Sequence, residues 1–304
     1  MKYLVIGAGG TGGCIGANMT EAGYDVTLIA RGEHLRLMKE NGLVVTSADR
    51  GTYTVPVKAE DMDHYNESPD IIFVCVKGYS LEDTIPFIKK VAHKDTVVIP
   101  ILNIYGTGGR MQEKLPELLV TDGCIYIAAQ ISEPGKIAMN GAIFRVVFGV
   151  REASEYREVL TTVKADLEKS KITPILSDNI QRDALQKFSY VSPAAACGQY
   201  YDANADVMQV PGEIRDTFIA LVKEVDDLAK AMGLDFGMDI VKNNLDILDS
   251  LAPDASTSMQ RDIRAGKASE IDGLIHEVVR MGDKYGIDLP TYRMISENLK
   301  KKGL

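Results

Sequence analysis

The chain changes texture once. Up to about residue 178, short runs of apolar and β-branched residues alternate with stretches whose apolar positions recur at helical spacing. From Asn179 onward the helical period continues and strand-like runs nearly vanish. In the first part, residues 3–6, 26–30, 71–76, 96–102, 124–129 and 145–150 read as strands. Residues 44–57, with Asp49-Arg50-Gly51 between two β-rich stretches, read as a hairpin. Residues 152–170 are expected to form a helix and 171–176 a strand that closes the domain. Such alternation predicts an α/β domain with a doubly wound sheet over residues 1–178. Periodicity in 214–231 and 274–285 predicts an all-helical second domain over residues 179–304. No internal repeat or low-complexity segment interrupts either part.

The first strand runs directly into Gly7-Ala8-Gly9-Gly10-Thr11-Gly12, and a helical pattern over 17–22 stops at Gly23. Strand, G-x-G-x-x-G and helix in this order form the dinucleotide-binding fingerprint of a Rossmann-type domain. Gly7 permits the tight turn, Gly9 lets backbone N–H groups approach a pyrophosphate, and Gly12 lets helix and strand pack closely. Gly10 and Thr11 complete the expected cofactor-binding loop, and the N-terminus of the helix that follows offers unpaired N–H groups and a positive dipole end suited to an anion. The second strand ends in Arg31, where an NAD-preferring domain usually carries a carboxylate. A guanidinium there can hold a ribose 2′-phosphate through a charge-assisted fork, so NADP(H) is the expected cofactor.

Ligands of doubly wound sheets bind at the carboxyl ends of the strands. Two further strands end there in polar residues, Lys77 after Val76 and Asn103 after Leu102. Both are candidates for contact with cofactor or substrate. In the helical half, Lys187 heads a stripe continued by Val191 and Ala195, while Leu185, Phe188 and Ser192 form the neighbouring side. A lysine heading an apolar stripe is a candidate proton donor. In the segment from Ser256 to Asp272, one continuous helix would separate Ser258 from Glu270 by about 18 Å. Gly266 offers a break, after which Ser269 can cap a new helix with Asp272 at its third position, leaving Glu270 available for another task.

Composition narrows the classes further. The 304 residues are 45% hydrophobic and 25% charged, with a net charge of −9, which argues against nucleic acid or an anionic membrane as principal partner. The first residues already read as a core strand, so no leader peptide or membrane segment is expected and the protein is placed in the cytoplasm. Cys14, Cys75, Cys124 and Cys197 are scattered small buried residues by pattern, and His34, His64, His93 and His276 show no metal-ligand spacing.

The glycine-rich start, Arg31, Val76-Lys77, Leu102-Asn103, Lys187-Phe188 and above all Ser258-Met259-Gln260-Arg261-Asp262 with Glu270-Ile271-Asp272 resemble the ketopantoate reductase (2-dehydropantoate 2-reductase) family along nearly the whole chain. The resemblance implies NADPH-dependent reduction of a 2-oxo acid, ketopantoate foremost, to a 2-hydroxy acid in pantothenate and coenzyme A biosynthesis. It also implies residue roles: Lys187 protonates the developing alkoxide, Glu270 partners it, Ser258 binds the substrate carboxylate, Lys77 and Asn103 contact cofactor or substrate, and Asp262 supports the substrate site. Stabilising charge that appears only as the hydride arrives is sound transition-state chemistry. The chain departs from the family pattern where two substrate-binding asparagines follow the lysine by four and eight residues. Here these positions are Val191 and Ala195, and the usual Gln-Asn-Gly reads Leu102-Asn103-Ile104. Ser192, Tyr190 or Gln199 are candidates to compensate; a more apolar 2-oxo acid, or a non-catalytic NADP(H)-binding sensor, are the alternatives. The helices of the second half are candidates for a homodimer interface.

Overall fold

A computed structural model describes residues 1–304. By contact the chain forms two compact units, one of residues 1–102 and 106–180, the other of 103–105 and 181–304.

The first unit runs β1 (Lys2–Ile6), α1 (Gly10–Glu21), β2 (Asp25–Ile29), α2 (Gly32–Asn41), β3 (Leu43–Ser47), β4 (Gly51–Val55), β5 (Lys58–Glu60) and β6 (Ile71–Val74). It continues with α3 (Leu81–Val91), β7 (Val97–Pro100), α4 (Thr107–Lys114), β8 (Leu119–Val120), β9 (Asp122–Glu133), β10 (Lys136–Gly149), α5 (Val159–Lys169) and β11 (Thr173–Leu176). Six parallel strands form one sheet in the order β5-β2-β1-β6-β7-β8, the doubly wound arrangement expected from the alternating pattern. All of β6 and β7 is buried, which is why these runs are apolar without alternation.

Three strands assigned to that sheet from sequence lie outside it. The runs around 124–129 and 145–150 are parts of β9 and β10, a long antiparallel hairpin. With β11, β3 and β4 they make a second, five-stranded sheet. The halves of β9 and β10 nearer their turn are largely exposed, so the hairpin runs on beyond the apolar cores that the sequence displays. The hairpin read at 44–57 is β3 paired with β4, Ser47 opposite Gly51. The helix expected over 152–170 starts only at Val159. Glu155 accepts hydrogen bonds from the N–H groups of Arg151 and Glu152 at 3.2 and 3.1 Å, closing a separate short turn before Tyr156 turns extended.

The second unit is helical: α6 (Ile180–Tyr201), α7 (Ala205–Gln209), α8 (Glu213–Ala231), α9 (Ile240–Asp249), α10 (Ser258–Arg264), α11 (Glu277–Tyr285) and α12 (Pro290–Lys301). Its core gathers Phe218, Leu221, Val222 and Val225 of α8 with Tyr292, Ile295 and Leu299 of α12. Buried Glu224 accepts from the N–H groups of Thr291 and Tyr292 at 2.7 and 3.0 Å, satisfying the start of α12. A wide π turn over Asp272–His276 precedes α11, and the buried Ser192 hydroxyl of α6 donates to its Leu274 carbonyl at 2.6 Å.

Candidate active site

At the carboxyl end of β1, Gly7 turns at φ +98° and α1 begins at Gly10 with no side chain capping it. A Cβ at Gly12 would overlap the Gly7 carbonyl oxygen and stand 2.9 Å from the Cys75 Cβ, so only glycine lets α1 pack this closely. A Cβ at Gly10 would overlap the backbone of Ala129 in β9. Gly9, in contrast, faces open space, with nothing within 4 Å of an added Cβ. The loop is thus closed behind and open in front, and it presents uncapped N–H groups beside a helix dipole.

The neighbouring strand β2 delivers Arg31, exposed and extended at the start of α2. Nearby cations are neutralised: Arg36 pairs with Glu33 and Glu40, and Lys39 with Glu60. The Arg31 guanidinium makes no ion pair, leaving a positive charge next to the strand ends. After β6, on the other side of β1, half-buried Lys77 begins the short turn Gly78–Ser80. Thr11 lies in the first turn of α1. Glu60, Asp61 and His64 offer ligand atoms within 4.8 Å of one another. Lys39 already neutralises Glu60, and Asp61 is occupied by the backbone and ring of His64.

In the second unit, the Lys187 ammonium donates to Asn103 Oδ1 at 2.6 Å, both residues being half-buried. The two residues lie 84 apart in the sequence, so no local pattern pairs them. Their partnership is built by Ile104, which is buried so tightly against the π turn that a Cβ at Gly273 would overlap it, and by Tyr105, whose ring lies 6.1 Å from that of Phe188. Asn103 is thereby seated where its amide oxygen can hold the ammonium.

Ser258 opens α10, and Asp262 lies one turn later on the same helix, both half-buried. Thr257 and Gln260 cap the start reciprocally. The Thr257 hydroxyl accepts from the Gln260 N–H at 3.2 Å, and Gln260 Oε1 accepts from the Thr257 N–H at 3.0 Å. Gln260 then donates to the Ala203 carbonyl at 2.9 Å, and its amide lies 2.8 Å from where a Gly198 Cβ would stand. Gly198 is three turns beyond Lys187 on α6, so this buried amide sets the register of α10 along that helix. The T-x-x-Q pattern at 257–260 is the local sequence signal for this role of Gln260.

Gly266 breaks the segment as expected, at φ +64° just after α10. The expected cap at Ser269 is not formed. The next helix starts at Ile271, and Asp272 instead makes two hydrogen bonds to Arg280, at 2.9 and 2.8 Å. The stronger bidentate charge pair takes the carboxylate that would have closed the capping box. Glu270 stands immediately before that helix, 5% exposed, its carbonyl accepting from the Leu274 N–H.

The three candidate compensating residues fare differently. Ser192 is 0% exposed and already holds Leu274 and the Tyr292 hydroxyl, each at 2.6 Å, so it is not a substrate ligand. Tyr190 lies edge-on to Phe218 with its hydroxyl pushed up to about 12 by burial. Gln199 remains half-buried. Ala195 is 0% exposed and Val191 packs on the same core.

Residues 3–153 match the ketopantoate reductase PanE/ApbA family and residues 179–303 match its C-terminal region. An uncharacterised oxidoreductase, YkpB of Bacillus subtilis (strain 168), is 25% identical over 99% of this chain and 98% of its own. A 2-dehydropantoate 2-reductase of Aquifex aeolicus (strain VF5) is 23% identical over 100% and 97%. Among solved structures, a D-mandelate dehydrogenase with NADH and anilino(oxo)acetate superposes with a TM-score of 0.88 at 21% identity, covering 99% of this chain and 98% of that one. No helix is long and apolar enough to cross a membrane. The glycine-rich turn, the doubly wound sheet, the helical second unit and both family matches lead to one conclusion: the chain is an oxidoreductase belonging to the ketopantoate reductase PanE/ApbA family.

Proposed function

We propose that the protein uses NADPH to reduce a 2-oxo acid to the 2-hydroxy acid, with ketopantoate, which would give pantoate, as the first substrate to test. The observation that carries this reading is the hydrogen bond from Lys187 to Asn103, which holds an ammonium group in place on the helical unit. The nicotinamide cofactor, when bound, supplies the hydride. The open front of the glycine loop fits a pyrophosphate, and the unpaired Arg31 fits a 2′-phosphate. Gly7, Gly9, Gly10, Thr11 and Gly12 form the cradle, and Lys77 adds a cation at the next strand end.

Lys187 gives its proton to the oxygen that becomes an alkoxide. Its charge stabilises that oxygen most when the carbonyl is lost, which is where a catalytic interaction lowers the barrier. Asn103 keeps the ammonium oriented, and Glu270 is the carboxylate assigned to it. Ser258 takes the substrate carboxylate, with Asp262 supporting it on α10. Val191 and fully buried Ala195 favour a second reading, in which the accepted side chain is more apolar than that of ketopantoate. Neither residue can pair with a hydroxyl, and a site that lacks such pairing discriminates poorly for it.

The test is loss of NADPH absorbance with ketopantoate, a panel of aliphatic and aromatic 2-oxo acids, and NADH controls. A kcat/KM of about 10⁴ M⁻¹s⁻¹ or more with ketopantoate supports the first reading. Comparable turnover confined to apolar acids supports the second, and no turnover with any acid refutes both.

A further inference from the structure

Behind the glycine loop lies one side chain that the family reading does not use. His34, on α2 one turn after Arg31, bridges two segments remote in sequence. Its Nε2 lies 2.8 Å from the Ala8 carbonyl oxygen, and the Gly135 N–H donates to its Nδ1 at 2.8 Å. A backbone N–H can only donate, so Nδ1 is the acceptor, and the neutral ring carries its proton on Nε2, which donates to Ala8. Both ring nitrogens are used, each in a fixed direction.

Ala8 sits between Gly7 and Gly9. Its own N–H donates to the Ile29 carbonyl at 3.0 Å, and His34 holds its carbonyl, so the residue is pinned on both sides. The Ala8–Gly9 peptide is planar and trans, so its C=O and N–H point in opposite directions. With the carbonyl drawn toward His34, the Gly9 N–H is aimed the opposite way. The other end of the bridge is equally firm. The Gly135 carbonyl accepts from the Val44 N–H at 3.0 Å, and a Cβ at Gly135 would stand 2.9 Å from the Leu37 Cβ. The same β9–β10 hairpin backs α1, since Cβ atoms at Gly10 and Gly13 would overlap Ala129 and Ile137.

We propose that His34 is a positioning residue for the pyrophosphate: it uses the β9–β10 turn as an anchor to fix the peptide that presents the Gly9 N–H. The proposal rests on the reading that the glycine loop binds a nicotinamide dinucleotide. It predicts a specific difference between two amide substitutions. In His34→Gln the side-chain NH₂ can stand near the position of Nε2 and donate to Ala8. In His34→Asn the side-chain oxygen can stand near Nδ1 and accept from Gly135, but the donor to Ala8 is lost. His34→Leu removes both.

Kd values for NADPH and NADH are measured by titration, with kcat at saturating cofactor, thermal midpoints, and hydrogen exchange of the cofactor-free protein. His34→Asn and His34→Leu are expected to weaken both cofactors about tenfold, the scale of one hydrogen bond. His34→Gln should stay within about threefold of the original protein. Saturated kcat should be nearly unchanged, and exchange over residues 7–13 should quicken in the Asn and Leu variants alone. Equal cofactor affinity in all three variants, or losses that follow thermal midpoint with no difference between Gln and Asn, would overturn the proposal. If the original protein binds neither cofactor, the functional reading falls, and the exchange pattern still decides whether His34 fixes the loop.

Discussion

Ser192→Ala tests the packing that holds the π turn after Glu270. The serine has one proton. It goes to the Leu274 carbonyl, so the Tyr292 hydroxyl must be the donor in its 2.6 Å contact with Ser192. Burial pushes the Tyr292 pKa up, so the phenol keeps that proton across the working range. Removing the serine hydroxyl forfeits its bond to Leu274, worth about 0.5–1.5 kcal/mol, and strands a buried phenol donor at about 1–3 kcal/mol. The expected loss is therefore about 2–4 kcal/mol. Tyr292→Phe removes the donor together with its need and should cost about 1 kcal/mol. In the Phe background, Ser192→Ala strands no phenol donor and forfeits only the bond to Leu274, so its cost should fall to about 0.5–1.5 kcal/mol. Urea unfolding of the four proteins then gives a coupling of about 1–3 kcal/mol. Additive losses within about 0.5 kcal/mol would refute the assigned donor directions. A parallel drop in kcat would show that the π turn also seats Glu270.

Lys187→Ala is expected to lower kcat a hundredfold or more with NADPH affinity retained, as removal of a general acid requires; unchanged turnover would exclude Lys187 from the proton step. Arg31→Ala should weaken NADPH by about ten- to a hundredfold while leaving NADH nearly unaffected, and equal losses in the two titrations would refute the 2′-phosphate assignment. His276 is buried against Ser296, and burial lowers its pKa, so the unfolded chain takes up this proton first. Its neutral form therefore supports the fold above about pH 6.5, and that support is lost as pH falls through the lowered folded value. Urea midpoints at neutral and mildly acidic pH should differ less in His276→Gln than in the original protein; an identical acid response would assign the sensitivity elsewhere.

How much of this could be read in advance depended on whether the cause was local. The strand, turn and helix at the start of the chain are dictated by residues adjacent in sequence, and they stand where the pattern put them. The break at Gly266 is likewise local. The cap at Ser269 failed because Arg280, eight residues past Asp272, competes for the same carboxylate. The second sheet was hidden because β9 and β10 are held by pairing along their length rather than by an apolar run. Lys187 was visible as a lysine at the head of an apolar stripe, but its bond to Asn103 joins residues 84 apart. His34 carried no sequence signal, because both of its partners are backbone atoms at distant positions.

The segment Asn103–Tyr105 is flanked on both sides by residues of the first unit, yet it belongs to the second. A fragment starting at residue 181 would hold every helix of that unit while leaving Gly273 without Ile104 and Lys187 without its amide partner. The halves are therefore not interchangeable cassettes. A chimera that takes residues 181–304 from one relative must take the short insert at 103–105 from the same source. Recombination between family members is compatible with this packing only where those three positions agree.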